Sequence, residues 1–408
     1  MMLEATNQLR SIHIAPSKLH IQYFGRWDKT DANNYRCAQG AIYIKLNFTG
    51  TSIKAKLLDK TNYWKVSIDN GPFRKFRPAI GTTSLAENLF PGVHKLLLVR
   101  MTEGIQGISQ FQGFILDWGA DIVRPDLLKT RRIEFIGDSI TAGAKNSPAP
   151  GIPNPGYYDI EDNDMAYGPQ LARMLEADYS VLGVSGEGLI HQWDEIRPYN
   201  RVHTADRYKW TLYSDSFKGN QLWDPEQFPV DAVLICIGTN DFIDQKPDFE
   251  VETYADLDGR NRIPTQAEFI KNYTELLRTV RSINPEAAII CIEPVPDWVG
   301  ADVRYWICLS INQLKAQGEK NIHYIPLNVP AAPERSRLRQ RPDPSYRRGS
   351  QENRPLPQGQ GSSHYAVALT HSVPLIIPQQ KRDCILLISA AYSPAYFIAM
   401  LFYILPAG

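Results

Sequence analysis

The sequence predicts two folded units, an all-β sandwich followed by a three-layer α/β domain with a parallel sheet, and then an irregular C-terminal tail. Three observations carry this reading. Short runs with alternating polarity, separated by turns, fill the stretch from about 20 to 125 with almost no helical period. Buried apolar runs then alternate with helical patterns from 130 to 328, the order that makes neighbouring strands parallel. Beyond that point both periods stop. The chain therefore divides into an N-terminal extension (1–19), the sandwich (20–125), the α/β domain (130–328), a disordered Arg/Pro-rich tail (329–384) and an apolar C-terminal segment (385–408).

In the first unit, Ala41 to Phe48 reads as one strand and Ser52 to Leu57 as the next, alternating polar and apolar as a half-buried strand does. Trp64 to Asp69 alternates again and ends in Asn70-Gly71, a hairpin signal. His94 to Arg100 and Gly113 to Asp117 complete the set. Arg124-Pro125 reads as the linker to the second unit.

The second unit opens on Arg132-Ile133-Glu134-Phe135-Ile136-Gly137-Asp138-Ser139, a buried strand that delivers a serine at its carboxyl end. Open α/β sheets bind ligands at that edge. Taken alone, Asp138-Ser139 is equally a polar strand end or a helix cap. Two later apolar runs end alike: Tyr179 to Val184 runs into Ser185-Gly186-Glu187-Gly188, and Val233 to Ile237 into Gly238-Thr239-Asn240-Asp241. A serine that attacks an acyl group needs donors for the oxyanion that forms. Glycine lets a backbone N–H approach closely, and an Asn side chain supplies another donor. Helices are expected at Ala166 to Leu175 and Ala267 to Ile283, and further strands at Ala287 to Pro294 and Asn321 to Leu327.

The order Gly137-Asp138-Ser139, then Gly186, then Gly238-Thr239-Asn240-Asp241 resembles the SGNH (GDSL-type) hydrolase superfamily. The resemblance implies that Ser139 is the nucleophile and that Ser139 N–H, Gly186 N–H and Asn240 Nδ2 hold the oxyanion. The first unit, with Gly25-Arg26-Trp27-Asp28 near its start and Phe111-Gln112-Gly113-Phe114 near its end, resembles the jelly-roll domain of carbohydrate esterase family two. Together the two halves imply a serine esterase that removes O-acetyl groups from carbohydrate, without a cofactor. The alternatives are a catalytically dead carbohydrate-binding protein and a small-ester or lipid hydrolase.

Between Gly188 and Asp231 lie Trp193, Tyr199, Tyr208, Trp210, Tyr213, Phe217, Trp223 and Phe228. Most of these rings are expected to pack the insert against the sheet, with one or two, Trp193 among them, lining the cleft. Trp298 is a further substrate-binding candidate on the same sheet edge. His191 and His203 read as surface or polar-loop residues.

The superfamily places its base in an Asp-x-x-His motif after the last strand. Here Asp343 is followed three residues later by Tyr346, and tyrosine, with a pKa near ~10, is a poor base at neutral pH. Three readings follow: the chain after about Leu327 is read in an altered frame or through an unspliced segment; His364 or His371 returns over Ser139 as the base; or Ile385 to Leu405, behind Lys381-Arg382, anchors the chain in a membrane.

Composition limits the partners. Forty-four Lys and Arg balance 44 Asp and Glu, which argues against nucleic acid as a partner and leaves a membrane only through the apolar C-terminal segment. The cysteines, Cys37, Cys236, Cys291, Cys308 and Cys384, are scattered without a Cys-x-x-Cys pair, so neither a metal site nor a disulfide framework is expected. Met1 to Ser11 lacks the apolar core of a secretory signal, which taken literally makes the product cytoplasmic; the alternative is a secreted protein with a truncated start.

Overall fold

Along β4 (Tyr43–Gly50), Ile44, Leu46 and Phe48 alternate with more exposed residues, and this period of two buries one face of the strand. The strand begins two residues later than its apolar run because Ala41 adopts a positive φ of 54° and kinks the chain first. The computed structural model describes residues 11–79, 81–149, 151–195, 199–245, 263–294, 299, 301–326, 374–377, 384–392 and 398–406.

The first unit is two antiparallel sheets. One joins β1 (Ser11–Ile14), β3 (Tyr35–Cys37), β5 (Ile53–Leu58), β8 (Gly81–Ala86) and β10 (Ser109–Asp117). The other joins β2 (Gln22–Phe24), β4, β6 (Trp64–Ile68), β7 (Arg74–Phe76), β9 (Gly92–Arg100) and β11 (Ile122–Val123). Between them lies a core that includes Trp27, Phe48, Leu57, Trp64, Phe111 and Phe114. The Asp69-Asn70 turn has positive φ at both residues (53° and 59°), and Gly71 N–H donates to Ile68 C=O at 2.8 Å, as a primed hairpin turn requires. β1 falls within the stretch read as an N-terminal extension; it pairs along β10, with Ile12 opposite Leu116.

The second unit is a five-stranded parallel sheet in the order β13 (Ala177–Gly183), β12 (Arg131–Gly137), β14 (Ala232–Cys236), β15 (Ala288–Ile292) and β16 (Ile322–Ile325). Alternate residues face opposite layers. Phe135, Val181, Leu234 and Ile290 pack with the helix Tyr167–Met174 on one side. Ile136, Leu182, Ile235 and Ile289 pack with the helices Gln266–Ile283 and Ala301–Ala316 on the other. A capping box between Thr265 and Glu268 starts the Gln266–Ile283 helix.

The two units share a core and a set of buried ion pairs. Phe24 and Tyr43 of the sandwich pack in the same cluster as Phe135 and Tyr179. The fully buried Arg26 reaches Glu134 with two N–H donors at 3.2 Å, and its guanidinium lies over the Tyr208 ring at 4.6 Å. Lys65 is held between Asp162 and Asp164 at 2.8 and 2.7 Å.

Near the C-terminus β17 (Pro374–Ile377), β18 (Cys384–Tyr392) and β19 (Ile398–Pro406) pair antiparallel, with Ile385 opposite Leu405. The apolar run read as a spanning segment is thus extended on either side of Pro394. Among the described residues no helix is long and apolar enough to cross a membrane. Residues 329–373 lie outside the described residues.

Candidate active site

β12 sits between β13 and β14, and its last residue, Gly137, is level with Gly183 on one neighbour and Cys236 on the other. Ser139 follows Gly137 by two residues, Gly186 follows Gly183 by three and Asn240 follows Cys236 by four. The two donor-bearing loops therefore flank the serine on either side. The spacing is tight. A Cβ at Gly183 would collide with the backbone of Thr141 and Ala142, and one at Gly137 with Thr141 and the Cys236 carbonyl.

Asp138 takes the capping role that its residue type suggests. Its Oδ1 accepts Ile140 N–H at 2.9 Å, and its carbonyl accepts Ala142 N–H at 2.9 Å, so a helical turn begins there and carries the half-buried Ser139. Burial pushes the Asp138 carboxyl up to about 6, against the hydrogen bond from Ile140 N–H.

Gly186 has a φ of +77°, and its neighbours close a turn in which Glu187 N–H donates to Val184 C=O at 3.2 Å. Ser185 is not among the residues with positive φ, so this is a type II turn with the glycine at the position that needs one. A Cβ on Gly186 would run into the indole of Trp193.

Asn240 is buried, and its Nδ2 donates to Glu187 C=O at 2.7 Å. An amide nitrogen carries two hydrogens, so this bond orients the group and leaves a second donor. Asp241 holds the same loop through the backbone. Its Oδ2 accepts Leu189 N–H at 2.7 Å, and its Oδ1 accepts Ile190 N–H at 2.7 Å and His191 N–H at 3.2 Å. Burial raises the Asp241 carboxyl, while the neighbouring His191 and the three amide donors oppose the rise. Gly188 leaves room for this clamp, since a Cβ there would meet Asp241 Oδ2 at 2.8 Å.

Of the ring residues in the insert, Tyr208, Trp210, Trp223 and Phe228 are buried, as packing residues should be. Trp193 is 39% exposed and lies beside Gly186. His191 corrects the surface reading: it is fully buried, its Nδ1 bonds Gln192 C=O at 2.8 Å, and it stacks on Tyr199 with centroids 4.8 Å apart. The physical reason is the Asp241 clamp, which draws the His191 backbone inward. His203 is a polar-loop residue bonded to Glu195 at 2.7 Å. Trp298, His364 and His371 lie outside the described residues.

The sequence reading missed how the loop after Ser139 is held. Asn146 and Asp162 exchange two hydrogen bonds of 2.9 Å across its base, and Lys65 of the sandwich anchors Asp162. The acidic run Glu161 to Asp164 was the visible signal, but besides the nearby Arg173 its cationic partner is a lysine in a distant strand.

Comparison with known proteins agrees with this arrangement. Residues 23–125 match the family model "Carbohydrate esterase 2 N-terminal", and residues 135–355 match "GDSL-like Lipase/Acylhydrolase family". The cellulase/esterase CelE of Acetivibrio thermocellus is 29% identical over 312 residues, covering 75% of this chain and 35% of CelE, so the chain spans about a third of that relative's length. An acetylxylan esterase / glucomannan deacetylase of Cellvibrio japonicus is 27% identical over 297 residues, covering 72% of this chain and 77% of that protein. A family two carbohydrate esterase from Clostridium thermocellum, solved in complex with cellohexaose, superposes with a TM-score of 0.62 at 27% identity, covering 75% of this chain and 88% of that one. A family two carbohydrate esterase from Cellvibrio japonicus shares the fold with a TM-score of 0.66 at 22% identity, covering 78% of this chain and 88% of that one. Serine, glycine and asparagine at three adjacent strand ends, a sandwich packed against the same sheet and a matching family model over each half make the chain a member of the GDSL-like lipase/acylhydrolase family, of the carbohydrate esterase family two type.

Proposed function

We propose that this chain is a serine esterase that removes O-acetyl groups from carbohydrate. The observation that carries the proposal is the position of Ser139 past β12, with the Gly186 and Asn240 loops on the flanking strands and tied together by the Asn240 to Glu187 bond. Ser139 Oγ attacks the acetyl carbonyl. Ser139 N–H, Gly186 N–H and the second Asn240 amide hydrogen receive the tetrahedral oxyanion. A base takes the serine proton and returns it to the sugar oxygen as it leaves; His364 or His371 is the candidate, and acetate follows when water attacks the acyl-enzyme. The names of the curated relatives support acetylated xylan or glucomannan as the substrate class. The partial exposure of Trp193 beside Gly186 supports it as the ring that meets the apolar face of a sugar.

A second reading has a specific observation behind it, the Tyr346 that stands where an Asp-x-x-His motif started at Asp343 would need histidine. On that reading the chain binds carbohydrate and turns nothing over. A fluorophosphonate probe separates the two, because it labels an activated serine and spares an inert one. The esterase reading expects labelling and acetate release from acetylated glucomannan, both abolished in Ser139→Ala. Binding to the polysaccharide without labelling would establish the second reading instead.

A further inference from the structure

The turn that carries Gly186 is held partly by the other folded unit. Glu103 lies in the sandwich between β9 and β10 and is fully buried, yet its Oε2 accepts the N–H of Ser185, 82 residues away. The Ser185 hydroxyl bonds the Tyr157 hydroxyl at 2.8 Å, and the Gly186 carbonyl accepts Trp193 N–H at 2.8 Å. The peptide between Ser185 and Gly186 is thus pinned before and after. This matters because type I and type II turns differ by a flip of that central peptide, which reverses the direction of its N–H. With Ser185 and the Gly186 carbonyl both fixed, the Gly186 N–H keeps one direction.

Glu103 is itself set from several sides. The fully buried Arg100 donates to Gln39, Gly107 and Glu103 carbonyls and to the Asn62 side chain, which shapes the loop that Glu103 occupies. Glu161, also fully buried, takes Asn163 Nδ2 at 2.7 Å, and Asn163 in turn bonds the Met101 carbonyl. Glu103 Oε1 and Glu161 Oε2 each find no hydrogen-bond partner among the described residues. Burying two carboxyl groups costs stability unless they are hydrogen-bonded, and among the described residues the amide that the Glu103 carboxyl accepts from is Ser185 N–H, in the proposed oxyanion turn.

We propose that Glu103, supplied by the β-sandwich, is a positioning residue for the Gly186 turn, so that the sandwich completes the esterase site instead of only accompanying it. The inference rests on the esterase reading for its catalytic consequence and on the Ser185 bond for its structural one.

Two variants of the full chain test it, Glu103→Gln and Glu103→Ala, read by the rate of fluorophosphonate labelling and by amide hydrogen exchange across residues 184–189. Glutamine keeps an oxygen for Ser185 N–H; alanine removes it. Glu103→Ala should slow labelling roughly 10- to 100-fold, the scale of a misplaced catalytic group, and should speed exchange in that segment. Glu103→Gln should stay within about threefold of wild type in both. Exchange in β10 and β12 reports whether the fold is intact. Unchanged exchange across 184–189 in Glu103→Ala, or an equal loss in both variants, overturns the proposal. A wild-type chain that takes no label refutes the esterase reading, and the exchange data then decide the role of Glu103 by themselves.

Discussion

Replacing Asp241 by asparagine tests whether one carboxylate organises both loops proposed to hold the oxyanion. The carboxylate takes three amide donors, two on Oδ1 and one on Oδ2. Asparagine keeps one oxygen, which can retain Ile190 and His191, but turns its NH₂ against Leu189 N–H, donor facing donor. Losing a charge-assisted bond costs about 1.5–3 kcal/mol and stranding a buried N–H about 1–3 kcal/mol. The neutral amide escapes the burial penalty that raises the Asp241 carboxyl, which offsets part of this. A net loss of about 2–4 kcal/mol follows, a fall in melting temperature on the order of 4–16 °C. Because the clamped loop supplies the carbonyl that orients Asn240, fluorophosphonate labelling should slow as well. Thermal melts followed by circular dichroism give the first quantity and gel fluorescence the second. A variant melting within about 1 °C of wild type would refute the clamp.

The remaining predictions concern the junction and its titration. Arg26→Met leaves Glu134 buried with, among the described residues, the Ser180 and Tyr208 hydroxyls to hold it, and should cost about 3–5 kcal/mol in denaturant unfolding. Adding Glu134→Gln should recover part of that; a single-variant cost below about 1 kcal/mol would show that the pair contributes little. Burial pushes the Glu103 carboxyl from its ordinary 4.5 up to about 7, so the folded chain keeps a proton that the unfolded chain releases. The stability this contributes is complete below about pH 4.5 and is lost as pH rises through about 7. Glu161 is raised by burial as well, so Glu103→Gln should reduce this pH dependence without abolishing it. Urea midpoints at pH 4.5 and pH 8 for both chains measure the difference; parallel behaviour would count against a raised Glu103.

The local sequence determined the elements and the chemistry offered at their ends. The period of two in β4 and the hairpin signal at Asn70-Gly71, whose turn is centred one residue earlier on Asp69-Asn70, needed only neighbours to be read, as did the apolar run through Ile133, Phe135 and Ile136 that ends at Gly-Asp-Ser. Even Gly186 was legible, because a positive φ is a property of the residue that adopts it. Tertiary structure decided which of these ends meet and what holds them. Arg26 and Glu134 are 108 residues apart, Glu103 and Ser185 are 82 apart, and Asp241 reaches back some 50 residues to His191. No period marks such pairs, because hydrophobic spacing reports only that a face is buried. A buried charge or amide is satisfied by whichever group the closed fold brings to it. His191 shows the same limit from the other side: its sequence neighbours suggest a polar loop, and a carboxylate two strands away draws it into the core.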